Sequence, residues 1–360
     1  MPDMKPPRFR FLRTATYILA GMLVASAWLP LFRPLEYLPL GFAGLLYPVF
    51  FVLCIIAMFS WLAARRREWR ILLLAIVLSF RGIIPYFAAG GIRGDVRASD
   101  QSFTVMTFNS SSMGLLNYKT DTPVVRQIEA VLTEASPDIL CVQEFYTNTG
   151  KERDRHLPSI AEKGKYPYHY FAPHYNNWTT WYYGTIVFSR FPIIDTARIP
   201  FHGGYNRNED LVRLRLLVHT DTITLLVAHF ASYQFKTNQY NLARAIFPYA
   251  GRRATKRLIA EQANILQQET IRTDDPVIVT GDFNDVPLSY TYHTVRGNKL
   301  QDAWLERGLG LGRTFSAIAP TLRIDYILPD KRMLVESAAI YRKKELQHFP
   351  LMARLSIRRQ

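Results

Sequence analysis

The apolar positions change their pattern once, near residue 100. Before it they run almost continuously, in three stretches at about 11–32, 37–63 and 71–90. The first two reach the roughly 20 residues a bilayer-spanning helix needs, and the third is interrupted by Arg81 and Pro85. Beyond residue 100 the pattern is that of an α/β domain. Phe103 to Phe108 alternates as a strand does and runs into Asn109, and Ile139 to Gln143 is a short apolar strand ending at Glu144. A helix is expected over 122–135, with Pro123 near its start and Val124, Ile128, Val131 and Leu132 along one side. Strands are expected at 167–172 and 184–189, then a hairpin of 211–219 and 222–229 that ends at His229. A basic helix at 252–270 leads into a buried strand ending at Asp282, and further strands fall at 323–328, 337–341 and 351–357.

This division predicts a transmembrane region of three helices over 1–92, a linker over 93–102 and an α/β domain over 103–360. Charge refines it. Lys5, Arg8, Arg10 and Arg13 precede the first run and Arg65, Arg66, Arg67 and Arg70 lie between the second and third, whereas the first loop holds only Arg33. Basic loops stay in the cytoplasm, so three crossings would put the domain after residue 90 outside it, anchored to a cytoplasmic (inner) membrane. If the third run does not cross, the domain stays inside. A signal peptide followed by core helices is the alternative, and three successive runs are too many for it. Of the net charge of +15, residues 101–360 hold 32 Lys and Arg against 24 Asp and Glu, a surplus compatible with an anionic substrate or a bilayer surface. Cys54 falls in an apolar run and Cys141 in a buried strand, so no disulfide is expected.

The chemistry concentrates at strand ends. Val277 to Pro287 reads Val-Ile-Val-Thr-Gly-Asp-Phe-Asn-Asp-Val-Pro: a buried strand, a glycine, then Asp282 and Asn284 two residues apart. A carboxylate there can take a proton from water or bind a hard cation, and the amide can donate to a phosphoryl oxygen. Asn109, Glu144, His229, Asp325 and His348 occupy comparable positions. Each alone has a structural explanation, a turn or a solvated strand end, but Asp325 lies inside Arg-Ile-Asp-Tyr-Ile-Leu and needs a partner.

In this order, Phe-Asn109, Gln-Glu144, His229-Phe, Gly-Asp282-Phe-Asn284-Asp-Val-Pro, Ile-Asp325-Tyr and His348-Phe-Pro resemble the endonuclease/exonuclease/phosphatase (DNase-I-like) superfamily, in a membrane-anchored bacterial branch. The resemblance covers about 103–357. It implies a four-layer α/β sandwich, two packed mixed sheets flanked by helices, here behind an N-terminal transmembrane helical region. It also implies a divalent-metal-dependent phosphoesterase, most simply a phosphodiesterase or nuclease, in which water attacks a phosphodiester with metal assistance. Asn109 and Glu144 would hold Mg²⁺ or Mn²⁺, with Ca²⁺ a further candidate ion and Asp282 and Gln347 further candidate ligands. Asp282 would activate water, Asn284 would donate to the phosphoryl group, His348 held by Asp325 would bind phosphate, and His229 would assist. One position departs: the family commonly has Ser-Asp-His before the final Pro, and this chain reads Leu346-Gln347-His348.

Three substrate readings stay open at this point: a nucleic acid or nucleotide-like diester, a phospholipid head group acted on by a sphingomyelinase-like diesterase or a phosphatase, and a catalytically silent membrane-anchored binding module. The basic cluster Arg252, Arg253, Lys256 and Arg257 could track nucleic acid, face lipid, or be a solvated helix face. The aromatic run from His174 to Tyr183 could stack on bases, dip into a membrane or pack over the sheet. No protein partner is inferable.

Overall fold

The computed structural model describes residues 7–32, 43–94, 96, 99–117, 123–177, 179–201, 210–232, 250–316 and 322–358. Its strands, in chain order, are β1 (Phe103–Asn109), β2 (Ile139–Asn148), β3 (Tyr168–Asn177), β4 (Trp181–Ser189), β5 (Ile193–Pro200), β6 (Asp210–Val218), β7 (Asp221–His229), β8 (Val277–Asp282), β9 (Asp325–Pro329), β10 (Met333–Ile340) and β11 (Leu351–Ile357). They form two mixed sheets, one ordered β10-β11-β1-β2-β4-β3 and the other β5-β6-β7-β8-β9. β1 with β2 and β7 with β8 are parallel pairs. Alternate residues face opposite sides of a strand, so each sheet has one face for the other sheet and one for helices.

Val105, Cys141 and Val187 of the first sheet meet Leu214, Leu225, Ile278 and Ile327 of the second in one buried cluster. Fully burying each such aliphatic side chain is worth about 1.5–3 kcal/mol, so this inter-sheet layer fixes the register. On the outer face of the first sheet, α4 (Pro123–Ala135) sets Ile128 and Val131 against Met106, Leu140 and Phe188, and α5 (His156–Lys163) adds Ile160. Outside the second sheet, α6 (Ala250–Arg272) sets Ile259, Ala263 and Leu266 on Leu226, Val277 and Val279. Helix, sheet, sheet, helix: the layers are those of the expected four-layer sandwich. Two short helices, α7 (Tyr290–Arg296) and α8 (Ala303–Arg307), start on hydroxyl and carboxylate caps: Ser289 accepts from the Tyr292 N–H, and Asp302 from those of Trp304 and Leu305.

The apolar N-terminal part forms α1 (Pro7–Trp28), α2 (Ala43–Ala63) and α3 (Trp69–Ser79), packed on one another through Leu23, Tyr47, Cys54 and Leu72. Among the described residues, two helices are long and apolar enough to cross a membrane, Arg10–Leu31 and Ala43–Ala63. The third run, expected as a helix over 71–90, is α-helical only to Ser79 and then tightens into a 3-10 turn over Phe80–Gly82. Arg81 leaves the apolar face to lie 4.5 Å over the Trp28 ring, and Gly82 lets the Tyr47 ring close in. Pro85 then cannot continue the helix.

The stretch after it is not a slack tether. Ala88 and Gly310 exchange N–H···O bonds of 2.9 and 2.8 Å, Gly91 donates to the Gly308 carbonyl at 2.8 Å, and Ser102 donates to Glu336 at 2.7 Å. The expected linker over 93–102 is thus tied to the domain on both sides.

Candidate active site

The two parallel pairs deliver polar side chains to one crevice at the end of both sheets. Asn109 closes β1, and its amide nitrogen donates to Glu144 Oε1 at 3.2 Å and to Asp282 Oδ2 at 3.0 Å. A strand of the first sheet is thereby bonded directly to a strand of the second. Glu144 reaches this point because β2 breaks register with β4 between Val142 and Phe145, where Glu144 takes φ +50°. A bulge of this kind turns a side chain out of the alternation, here from the sheet into the crevice. A left-handed φ costs a non-glycine residue about 1–2 kcal/mol, so the surroundings must hold it, and the Ser110 hydroxyl does so by donating to the Glu144 carbonyl at 2.8 Å.

β8 needs its glycine. Gly281 has φ +135°, and a Cβ there would run into the Ala228 carbonyl on β7. This close approach aligns His229 with Asp282 on the neighbouring strand, and Asp282 in turn pairs with Asp325 across β8 and β9. His229 Nε2 lies 3.6 Å from Glu144 Oε1. Asp282 Oδ1 accepts the Asn284 N–H at 2.8 Å, which fits the left-handed φ of +49° at Asn284. The Asn284 amide spends one hydrogen on the Phe230 carbonyl at 2.8 Å, leaving its second for another acceptor. His348 Nδ1 is 3.1 Å from Asp325 Oδ2 and 3.8 Å from Asp282 Oδ2.

The electrostatics follow from burial and crowding. Burial first, and the Asp325 charge second, push Asp282 up to about 6. Burial opposes the charged form of His348, but Asp325 and then Asp282 outweigh it and raise the imidazole to about 9. Asp282, Asp325 and His348 can bring one ligand atom each within 4.8 Å of one another. With Glu144 added, three carboxylates converge on two imidazoles, His348 and His229. That donor set, oxygen-rich and short of positive charge, fits a hard divalent cation.

A family model described as the Endonuclease/Exonuclease/phosphatase family matches residues 106–345. The chain belongs to that family. It is therefore a phosphoric ester hydrolase, and enzymes of the family typically use a divalent metal. A second model, a domain of unknown function (DUF8431), matches residues 9–86. No curated protein matches this sequence. Among solved structures, the fold is similar to an endonuclease/exonuclease/phosphatase from Beutenbergia cavernae at 18% identity and TM-score 0.53, covering 71% of this chain and 72% of that one. It is similar to D. rerio TDP2 complexed with a single-strand DNA product at 15% identity and TM-score 0.51, covering 71% and 100%. It is also similar to a Bacteroides thetaiotaomicron mannosyl-6-phosphatase at 15% identity and TM-score 0.51, again covering 71% and 100%.

Seven residues singled out in the sequence thus meet: Asn109, Glu144, His229, Asp282, Asn284, Asp325 and His348. Gln347 stands apart, exposed, with its backbone carbonyl accepting from the Ser316 N–H at 2.8 Å. The basic cluster on α6 is not a uniform free face. Lys256 is buried 2.6 Å from Asp285, and Arg257 pairs with Glu261 at 3.0 Å. The side chains of Arg252 and Arg253 fall outside the described set. In the aromatic run, Trp181 packs 5.4 Å from the Tyr146 ring, and buried His174 is pushed down to about 3 by burial, then by His229 and Arg198.

Thr314 escaped the sequence reading. Its hydroxyl oxygen accepts the N–H groups of Ile324 and Asp325 at 3.0 and 3.1 Å, holding the entry to β9. Asp285, in the same motif as Asp282 and Asn284, receives Lys256 and the Thr291 hydroxyl at 2.7 Å and fixes the loop after Asn284. A threonine in irregular chain carries no signal in a single sequence.

Proposed function

We propose that the chain is a membrane-anchored, divalent-metal-dependent phosphodiesterase. The observation that carries this is the Asn109 amide bonded between Glu144 and Asp282, beside the Asp325–His348 pair. An amide N–H lies between two carboxylates where a cation's charge would be better matched. Glu144, helped by Asn109, would hold Mg²⁺ or Mn²⁺, and the bound ion would offset charge on the phosphoryl oxygens.

The chain's own groups do the rest. Asp282, ionised above about pH 6, accepts the proton of the attacking water. Charged His348, oriented by Asp325, donates to a non-bridging phosphate oxygen and favours the pentavalent arrangement over the ground state. The free amide hydrogen of Asn284 points the same phosphate, and His229 stands beside Glu144 to bind it or assist the leaving oxygen.

Several features support anchoring. α2 is 21 residues, about 31 Å at 1.5 Å per residue, the thickness of a hydrocarbon core. Its start abuts Leu288 and its far end leads through a basic turn into α3, which returns to the catalytic domain at Pro85. If α2 crosses, the chain returns through α3, about 16 Å long, together with the 3-10 turn and the residues up to Pro85. The basic residues at the far end then favour a domain outside the cytoplasm. The test is turnover of bis-p-nitrophenyl phosphate by the detergent-solubilised full chain. Activity with Mn²⁺ or Mg²⁺ that is lost in EDTA and in Asp282→Asn is expected; metal-independent turnover, or none with any ion, would sink the reading.

A further inference from the structure

The catalytic crevice leans on the near end of the helical bundle. Three loops that carry or brace site residues pack there. Leu288, four residues after Asn284, sits so close to the start of α2 that a Cβ on Gly44 would run into its carbonyl, and Val286 and Leu288 belong to the bundle's own apolar cluster. Arg323, two residues before Asp325, donates to the Pro85 carbonyl at 2.8 Å. Phe315 packs on the same cluster and sets its ring 4.8 Å from that of His348.

The level of the bilayer can be read from side chains. Large apolar groups stay exposed beyond the end of α3, at Phe80, Ile84, Phe87 and Ile92, the last 76% exposed. The row continues onto the catalytic domain at Leu309, 60% exposed and next to the Ala88–Gly310 bridge. A water-facing surface does not carry such a row. At the same end the Arg81 guanidinium lies over Trp28, an aromatic and a cation of the kind found at head-group level. Since Leu288 touches the first turn of α2, Asn284 lies within about 14 Å of chain from that level, an upper bound for four extended residues. The head-group layer itself is about 5–8 Å deep.

We propose that this site takes a phosphoester presented at the bilayer surface: the phosphodiester of a lipid head group, its chains left in the membrane. The inference rests on the anchored-hydrolase reading above. The reaction is hydrolysis: the water oxygen bonds to phosphorus, the P–O bond to the leaving group breaks, and the water proton passes through Asp282 to the departing oxygen.

The test keeps the reactive group constant and changes only its tether. Full-length protein in phosphatidylcholine vesicles is given ethyl p-nitrophenyl phosphate in solution, hexadecyl p-nitrophenyl phosphate in the bilayer, or a single-stranded oligonucleotide, all with Mn²⁺. The tethered diester should turn over at least tenfold faster at equal bulk concentration, following its mole fraction in the bilayer. Leu309→Asp should cut that rate severalfold and leave the ethyl ester unchanged. Equal rates on the two esters, or faster cleavage of the oligonucleotide, would overturn the inference while leaving the hydrolase reading intact. Turnover of none of the three would overturn both.

Discussion

Two buried carboxylate clusters sit two residues apart on the approach to β9, and they differ in how their charge is balanced. Around Arg323, which is 0% exposed, Asp302 lies 2.6 Å away, the Tyr292 hydroxyl donates to that carboxylate at 2.7 Å, and the Tyr326 ring lies 5.0 Å beneath the guanidinium. One positive charge meets one negative charge in a closed shell. Around Asp325, by contrast, Glu144 and Asp282 join it against two histidines, His348 and His229, so three carboxylates outnumber the imidazoles, and the crevice opens at the end of the sheets. Burial and polar contacts are common to both. The surplus of negative charge marks the second as the place where something else binds, and its absence marks the first as a strut between the bundle and the catalytic domain.

Neutralising one carboxylate in each cluster should separate them most sharply. Asp282→Asn should lower kcat on a soluble diester by about 10³-fold, in the range for losing a positioned base. Its melting temperature at pH 8 should not fall. With its folded pKa raised to about 6, Asp282 favours folding below its unfolded value near 3.8 and loses that contribution as pH rises through 6, a loss asparagine cannot suffer. Asp302→Ala should do the reverse. It strands a buried guanidinium, which costs about 3–5 kcal/mol and should appear as a large drop in melting temperature.

A smaller effect concerns His348. Its raised pKa favours folding, fully so below about pH 6.5, and keeps the folded enzyme's imidazole charged for phosphate; both are lost as pH rises through about 9. The pH profile of kcat/KM should therefore fall on its alkaline side near 9, and Asp325→Asn should move that limb toward neutrality by removing the histidine's chief partner. The smallest expected change is at Gln347, which is exposed and apart from the crevice: Gln347→Asp should leave the Mn²⁺ concentration for half-maximal activation within about twofold, and a severalfold drop would show that the position reaches the metal.

Much of this was legible because the chemistry sits at strand ends. Apolar β-branched runs announce β1, β2, β7 and β8, and the residue that stops each run is the one delivered to the crevice. The interior carboxylate Asp325 demanded a partner and has it in His348. What stayed illegible was balance and closure. Nothing local says that Arg323 is swallowed whole beside Asp302, or that Lys256 is spent on Asp285 instead of facing a ligand. β5 was missed because Asp195, Thr196 and Arg198 blur its alternation on a half-exposed edge. α7 and α8 are too short for a helical period to show. The ties from 88–91 to 308–310 join segments more than 200 residues apart, so a stretch bonded on both sides reads in the sequence as a linker.

The measurement that tests the charge-surplus account most directly is Mn²⁺ binding to the full-length protein, followed by the loss of the free-ion paramagnetic signal. A bound site in the wild type that disappears in Glu144→Gln, with proton release on binding near pH 6 as Asp282 ionises, is the predicted result. Binding by Glu144→Gln as tight as by the wild type, or no binding by either, would contradict it.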